Sequence, residues 1–189
     1  MTPRRNAINH LVVLQLAAVS VVVLLVTGAC HTTAKPPYAT DILLINLEVL
    51  KHVLEVRYSM GDEHFVIRPA NANNDLVVAK LDVHNRVAAQ VFMNVNQDAL
   101  TLRNKESPYE EYKAIDPFQQ RERVDGNNPE ENEYMPFIWG PVELPQKCAD
   151  ANDKTQACRL YGWVVFETPR DAQFNQLMWS TGDTVFVNF

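Results

Sequence analysis

The histidines have the widest chemical repertoire in this sequence, because imidazole can bind a metal ion or carry a proton near neutral pH. His52, His64 and His84 lie in three different segments of alternating apolar residues, where neighbours could converge on copper or zinc. His84 shares a polar strand face with Asp82, which predicts a solvated imidazole. His52 lies on an apolar strand face, where it is expected to end a row of core residues. No H-x-H or H-x-x-H spacing occurs, so we predict no metal site and no cofactor.

Acidic residues are concentrated in the loop DGNNPEENE, from Asp125 to Glu133. Calcium requires about six to eight oxygen ligands in a compact frame, and the glycine of this loop comes too early for an EF-hand. We therefore expect a solvated acidic loop. The chain also contains no G-x-S-x-G, no H-E-x-x-H and no glycine-rich phosphate loop. The sequence predicts no catalytic residues and a protein that is not an enzyme.

The segment YMPFIWGP follows that loop and carries three aromatic residues, Tyr134, Phe137 and Trp139. An aromatic cluster on a loop is typical of a contact patch for a partner protein. The alternative is that Phe137 and Trp139 close one end of the core, since tryptophan is highly buried on average. Trp163 and Trp179 lie in strand-like segments, and we expect both in the core.

Three cysteines are present. Cys148 and Cys158 flank the polar stretch ADANDKTQA, which predicts a disulfide-closed loop in an oxidising compartment. A loop of this length stabilises a fold by about 2–3 kcal/mol. A redox or metal-binding pair is the alternative, but the spacing is far from C-x-x-C.

Residues 1–29 have the layout of a secretory signal, in which two arginines precede an uncharged apolar run that ends in small residues. This ending resembles the lipobox of bacterial lipoproteins, which implies lipidation at Cys30, although Thr27 stands where that family has an aliphatic residue. The alternative is an uncleaved anchor helix, because about 20 apolar residues span a bilayer. Both place the domain at the extracytoplasmic face of the membrane, in the cell envelope, after a tether over residues 30–40.

The folded part of the chain is acidic. The formal net charge is -6, and without Arg4 and Arg5, which precede the apolar run, it is -8. Such a surface is a poor match for phosphate backbones, so nucleic acid is not an expected partner. With 47% hydrophobic residues the chain can build a core, and 189 residues allow one domain or two small ones.

Apolar and polar residues alternate with a period of two from Asp41 onward, which indicates β-strands with one buried face. Leu50–Tyr58, for example, alternates as one half-buried strand. Further strands are predicted within residues 64–68, 76–85, 90–95, 99–102, 160–166 and 184–189. A polar loop over 104–133 holds one short strand near Tyr112, and residues 171–177 suit one turn of helix. The pattern predicts an all-β antiparallel sandwich over 41–189, with a closed barrel as the alternative.

The stretch LVVAKLDVHNRVAAQVFMNVNQDALTLRNKESPYEEY resembles the central strands of an immunoglobulin-like family of bacterial and archaeal lipoproteins. The segment GWVVFETPRDAQFNQLMWSTGDTVFVNF is similar to the closing pair of strands in that family, through Gly162, Phe166, Glu167, Pro169 and Thr184–Phe189. The resemblance implies an immunoglobulin-like sandwich. It implies no activity, because the family is a domain of unknown function.

Together these features predict a membrane-tethered protein that binds, or is accessory to, another envelope protein. A metal- or small-ligand-binding envelope lipoprotein is the alternative.

Overall fold

The structure is a computed structural model that describes residues 38–40, 42–86, 90–105, 107–125, 134–144 and 158–189. The predicted signal segment, Cys30, most of the tether, most of the acidic loop and Cys148 lie outside these residues. Thirteen strands occur in the described part: β1 Tyr38–Ala39, β2 Leu43–Val53, β3 Val56–Met60, β4 Glu63–Ile67, β5 Asn74–Asn85, β6 Val91–Val95, β7 Leu100–Asn104, β8 Glu111–Lys113, β9 Glu122–Val124, β10 Gly140–Leu144, β11 Arg159–Pro169, β12 Phe174–Trp179 and β13 Val185–Asn188. Over the same ranges we find no helix of the length and hydrophobicity that a membrane span requires.

The main core lies between a central sheet and a second layer of strands. The central sheet has the order β1-β2-β5-β11, and the layer facing it consists of the sheets β10-β6 and β13-β12-β7-β8. All named strand pairs are antiparallel. Val77, Ala79, Leu81 and Val83 of β5 face this core, as their alternation predicts. The prediction of an all-β antiparallel sandwich is therefore confirmed, and the described strands form separate sheets rather than one barrel.

A fourth sheet, of three strands, covers part of the other face of the central sheet. Its order is β3-β4-β9, and Tyr58 and Ile67 from it pack against Leu76, Val78 and Val165. Because both faces of β5 are covered there, that strand is buried along most of its length. The expectation of two sheets with one buried face each is wrong for this part of the fold.

The alternation of Leu50–Tyr58 does not belong to one strand. Strand β2 ends at Val53, Leu54 is 74% exposed, and β3 begins at Val56 in the fourth sheet. The period of two continues through the break because the residues of β2 and those of β3 each alternate between the more buried and the more exposed face of their own sheet. Within β2, a bulge between Leu47 and Val49 shifts the register by one residue. This shift keeps Leu47 and Leu50 on the side of the main core.

Residues 171–177 form no helical turn, because β12 begins at Phe174. A bulge between Phe174 and Gln176 places Phe174 and Leu177 on the same buried face. Their spacing of three residues therefore imitates a helical pattern. The short strand near Tyr112 is confirmed as β8, and the strand-like segment around Trp179 is the end of β12. Strand β1, which lies in the predicted tether, and strands β9 and β10 were not predicted.

Candidate functional site

Asp82, His84 and Arg159 form a buried polar cluster on the face of the central sheet that points away from the main core. Nε2 of His84 lies 2.9 Å from Oδ1 of Asp82, and the Arg159 guanidinium donates to both carboxylate oxygens. The side chains are 2% (Asp82), 4% (Arg159) and 11% (His84) exposed. The prediction that His84 is solvated is wrong, because Asp82 and its partners satisfy one another away from water.

The electrostatics of this cluster favour the charged forms of Asp82 and Arg159. Burial alone raises the pKa of Asp82, but hydrogen bonds from His84 and Arg159 outweigh burial and hold that pKa below its ordinary value. The hydrogen bonds to Asp82 in turn raise the pKa of Arg159. Within the described ranges no hydroxyl or thiol bonds to His84, so the imidazole has no nucleophile there to activate. We interpret the cluster as structural.

The other strand histidines lie apart from this cluster. His52 is exposed near the end of β2, and its ring stacks on Phe174 with centroids 5.9 Å apart. Nδ1 of His64 lies 2.8 Å from the Ser59 hydroxyl at a directly paired position of β3 and β4. Cross-strand pairs of this kind are common in antiparallel ladders. In the part of the chain that the structure describes, no three histidine, cysteine or carboxylate side chains come together as metal ligands.

The aromatic residues of the segment 134–139 point to three different places. Phe137 is 1% exposed and meets Trp179 edge to face in the main core, with centroids 5.9 Å apart. Tyr134 packs against the Trp163 ring at 5.2 Å, beside the ammonium group of Lys51. Phe137 therefore closes the core, as the alternative interpretation held, and takes no part in a surface patch. Trp163 and Trp179 lie in the core as predicted.

The backbone of this segment is fixed on the edge strand β11. The amide of Phe137 donates to the carbonyl of Trp163 at 2.8 Å, and the amide of Trp163 donates to the carbonyl of Met135 at 3.0 Å. A Cβ on Gly162 would lie 2.8 Å from Cα of Phe137, so only glycine allows this approach. With the backbone held and Phe137 buried, the side chains of Met135 and Ile138 remain 57% and 45% exposed.

Trp139 lines a polar pocket of about 290 Å³. Two turns supply the rest of the wall, one after β6 and one after Ile115. They contribute the carboxamides of Asn96, Gln97, Gln119 and Gln120 and the carboxylates of Asp98 and Asp116. The pocket could not be predicted from the sequence, because its residues come from two turns and the segment 134–139, which approach one another only in the folded chain.

Glu167, which the resemblance singles out, holds a turn. Its carboxylate accepts hydrogen bonds from the amides of Ala70 and Asn71 and from the side chain of Asn74, all between 2.9 and 3.0 Å. Burial alone raises the pKa of Glu167, but the two backbone amides outweigh burial and lower it. The residue is thus used to fix the turn before β5.

Cys158, beside the start of β11, is buried. Its predicted partner Cys148 lies outside the described residues, so the pairing of these two cysteines stays a prediction. The same holds for lipidation of Cys30 and for the acidic loop from Asp125 to Glu133.

Comparison with known proteins gives no family for this chain. No protein-family model matches the sequence, and no curated protein matches it. One solved structure is distantly similar, an uncharacterized beta-sandwich protein from Clostridium difficile 630. It has 12% sequence identity and a TM-score of 0.40, over 76% of this chain and 82% of that one. The resemblance to immunoglobulin-like lipoproteins therefore stays a prediction.

Proposed function

We propose that this protein is exported, lipidated at Cys30 and tethered to the extracytoplasmic face of a membrane, where its β-sandwich binds another envelope protein without catalysing a reaction. The proposed location rests on the two N-terminal arginines, the apolar run that follows them and the small residues before Cys30. Cysteine parity supports it, because one cysteine for lipid leaves Cys148 and Cys158 to pair.

The proposed binding role rests on the exposure of the apolar side chains of Met135 and Ile138. Both side chains are about half exposed on a backbone that two hydrogen bonds and the buried Phe137 hold in place. A preorganised backbone lowers the ordering cost of association, so apolar side chains fixed in this way suit a protein interface. We call Met135 and Ile138, with the neighbouring Trp139, the display surface.

The sequence next to the display surface indicates the chemistry of the partner. Four carboxylate residues, Asp125, Glu130, Glu131 and Glu133, precede it within ten positions. A partner with an apolar patch flanked by lysine or arginine would complement both features. An acidic or nucleic-acid partner would be repelled.

Site-specific photocrosslinking tests this proposal. A photoreactive phenylalanine analogue at position 135 or 138 of the full chain is expected to give one shared crosslinked product in native membranes. Positions 54 and 92 serve as matched controls, because Leu54 and Phe92 are at least as exposed and lie outside the display surface. The same product from all four positions, or none from 135 and 138, would contradict the proposal.

A further inference from the structure

The pocket beside Trp139 is a built site rather than an accidental gap between turns. Oδ1 of Asn96 accepts from the amides of Asp98 and Ala99, and Oδ1 of Asp116 accepts from the amides of Phe118 and Gln119. The Ser180 hydroxyl donates to the carbonyl of Asp98 at 2.8 Å. Both turns are therefore fixed before any ligand arrives, which reduces the ordering cost of binding.

Several polar groups of this pocket are left available. No described residue forms a hydrogen bond with the side chains of Gln97, Gln119 or Gln120. Likewise, no described residue accepts a hydrogen bond from the indole N–H of Trp139. A carboxamide offers one acceptor oxygen and two N–H donors, so it can meet a hydroxyl group in either of its roles. The pocket thus combines adaptable donors and acceptors with an aromatic wall.

The charge of the pocket argues against an anionic ligand. Asp98 is paired with Lys113 at 2.6 Å, and Asp116 contributes the remaining negative charge. An anion would be repelled by that charge. Among the described residues, no three histidine, cysteine or carboxylate side chains come together in a group that could hold a metal ion.

We infer that this pocket binds a neutral saccharide, with Trp139 against the apolar C–H face of a sugar ring and the glutamine carboxamides bonded to its hydroxyls. The volume of about 290 Å³ is just below the usual range of small-molecule pockets, about 300–1,000 Å³, and so suits a small ligand of one or two rings. Binding here goes beyond the proposed partner contact, and the two surfaces share only Trp139, since Met135 and Ile138 do not line the pocket.

The indole signals of the tryptophans give a direct test. The full chain, labelled with nitrogen-15 and kept in a detergent without a sugar headgroup, is titrated with glucose, maltose and N-acetylglucosamine. We expect millimolar concentrations of at least one sugar to shift the Trp139 indole N–H signal. The signals of Trp163 and Trp179 should stay in place, because both rings are buried and the Trp179 indole donates to the Thr181 carbonyl at 2.6 Å.

Substitution of the free carboxamides completes the test. The double variant Gln97→Ala/Gln120→Ala is expected to weaken the sugar response by about tenfold, because hydroxyls that bonded to these side chains are left unpaired. Gln173→Ala is the matched control, since Gln173 is exposed and lies outside the pocket. No shift of Trp139 with any of the three sugars, or an unchanged response in the double variant, would overturn the inference.

Discussion

Replacing Gly162 with alanine is expected to lower the free energy of unfolding by about 3 kcal/mol or more. The added Cβ would lie 2.8 Å and 2.9 Å from Cα and N of Phe137, which are backbone atoms that cannot rotate away. Overpacking of a core costs about 1–3 kcal/mol by itself. Movement of the segment would also break its two hydrogen bonds to Trp163 and withdraw Phe137 from the core.

Urea unfolding of the purified Gly162→Ala variant measures this loss. Gly61→Asn is the matched control, because Gly61 has a positive φ of 60° but no atoms near the position of its Cβ. Asparagine tolerates that backbone region, so the control should stay within about 1 kcal/mol of the wild type. Equal stability of the Gly162→Ala variant and the control would show that the segment is not held against β11 as described.

Replacing Asp82 with asparagine is expected to cost about 3–5 kcal/mol, because it leaves the buried guanidinium of Arg159 without its carboxylate partner. Glu122→Gln is the matched control. Glu122 is 69% exposed and pairs with Arg68 at the surface, where loss of an ion pair costs about 1 kcal/mol or less. Thermal or urea unfolding at neutral pH distinguishes the two, and similar losses would contradict the buried cluster.

The contribution of Asp82 should also depend on pH. Its folded pKa lies below the unfolded value of about 4, so the stabilisation is fully present above pH 4 and is lost as pH falls through the folded pKa. The difference in unfolding free energy between the wild type and Asp82→Asn should therefore shrink below about pH 4. A difference that stays constant down to about pH 2 would mean that Asp82 does not carry this charge in the fold.

Much of the fold is predictable from local alternation, and the failures have local causes. Val77, Ala79, Leu81 and Val83 identify the face toward the main core because side chains alternate in any strand. The fourth sheet was not predicted, although Leu76, Val77, Val78 and Ala79 form a continuous apolar run, which is the signal of a strand buried on both faces. Bulges in β2 and β12 change the phase of the pattern and so conceal the true strands.

The candidate sites depend on contacts that sequence spacing does not reveal. Asp82 and Arg159 are 77 positions apart, and the pairing of β5 with β11 brings them together. An aspartate and a histidine on one strand face therefore indicated a solvated surface, whereas both side chains are buried and Asp82 pairs with a distant arginine. The segment 134–139 was recognised by its aromatic residues, but only the close approach at Gly162 determines which of its side chains are displayed.

Capture of the partner with acidic variants tests the binding role most directly. The full-length wild type and the variants Met135→Asp/Ile138→Asp and Phe92→Asp are recovered from crosslinked native membranes, with urea midpoints measured in parallel. If the display surface is the binding site, the double variant keeps the urea midpoint of the wild type but no longer captures the partner protein that the wild type and Phe92→Asp both capture. Recovery of that protein in equal amount with the double variant would contradict the proposed function.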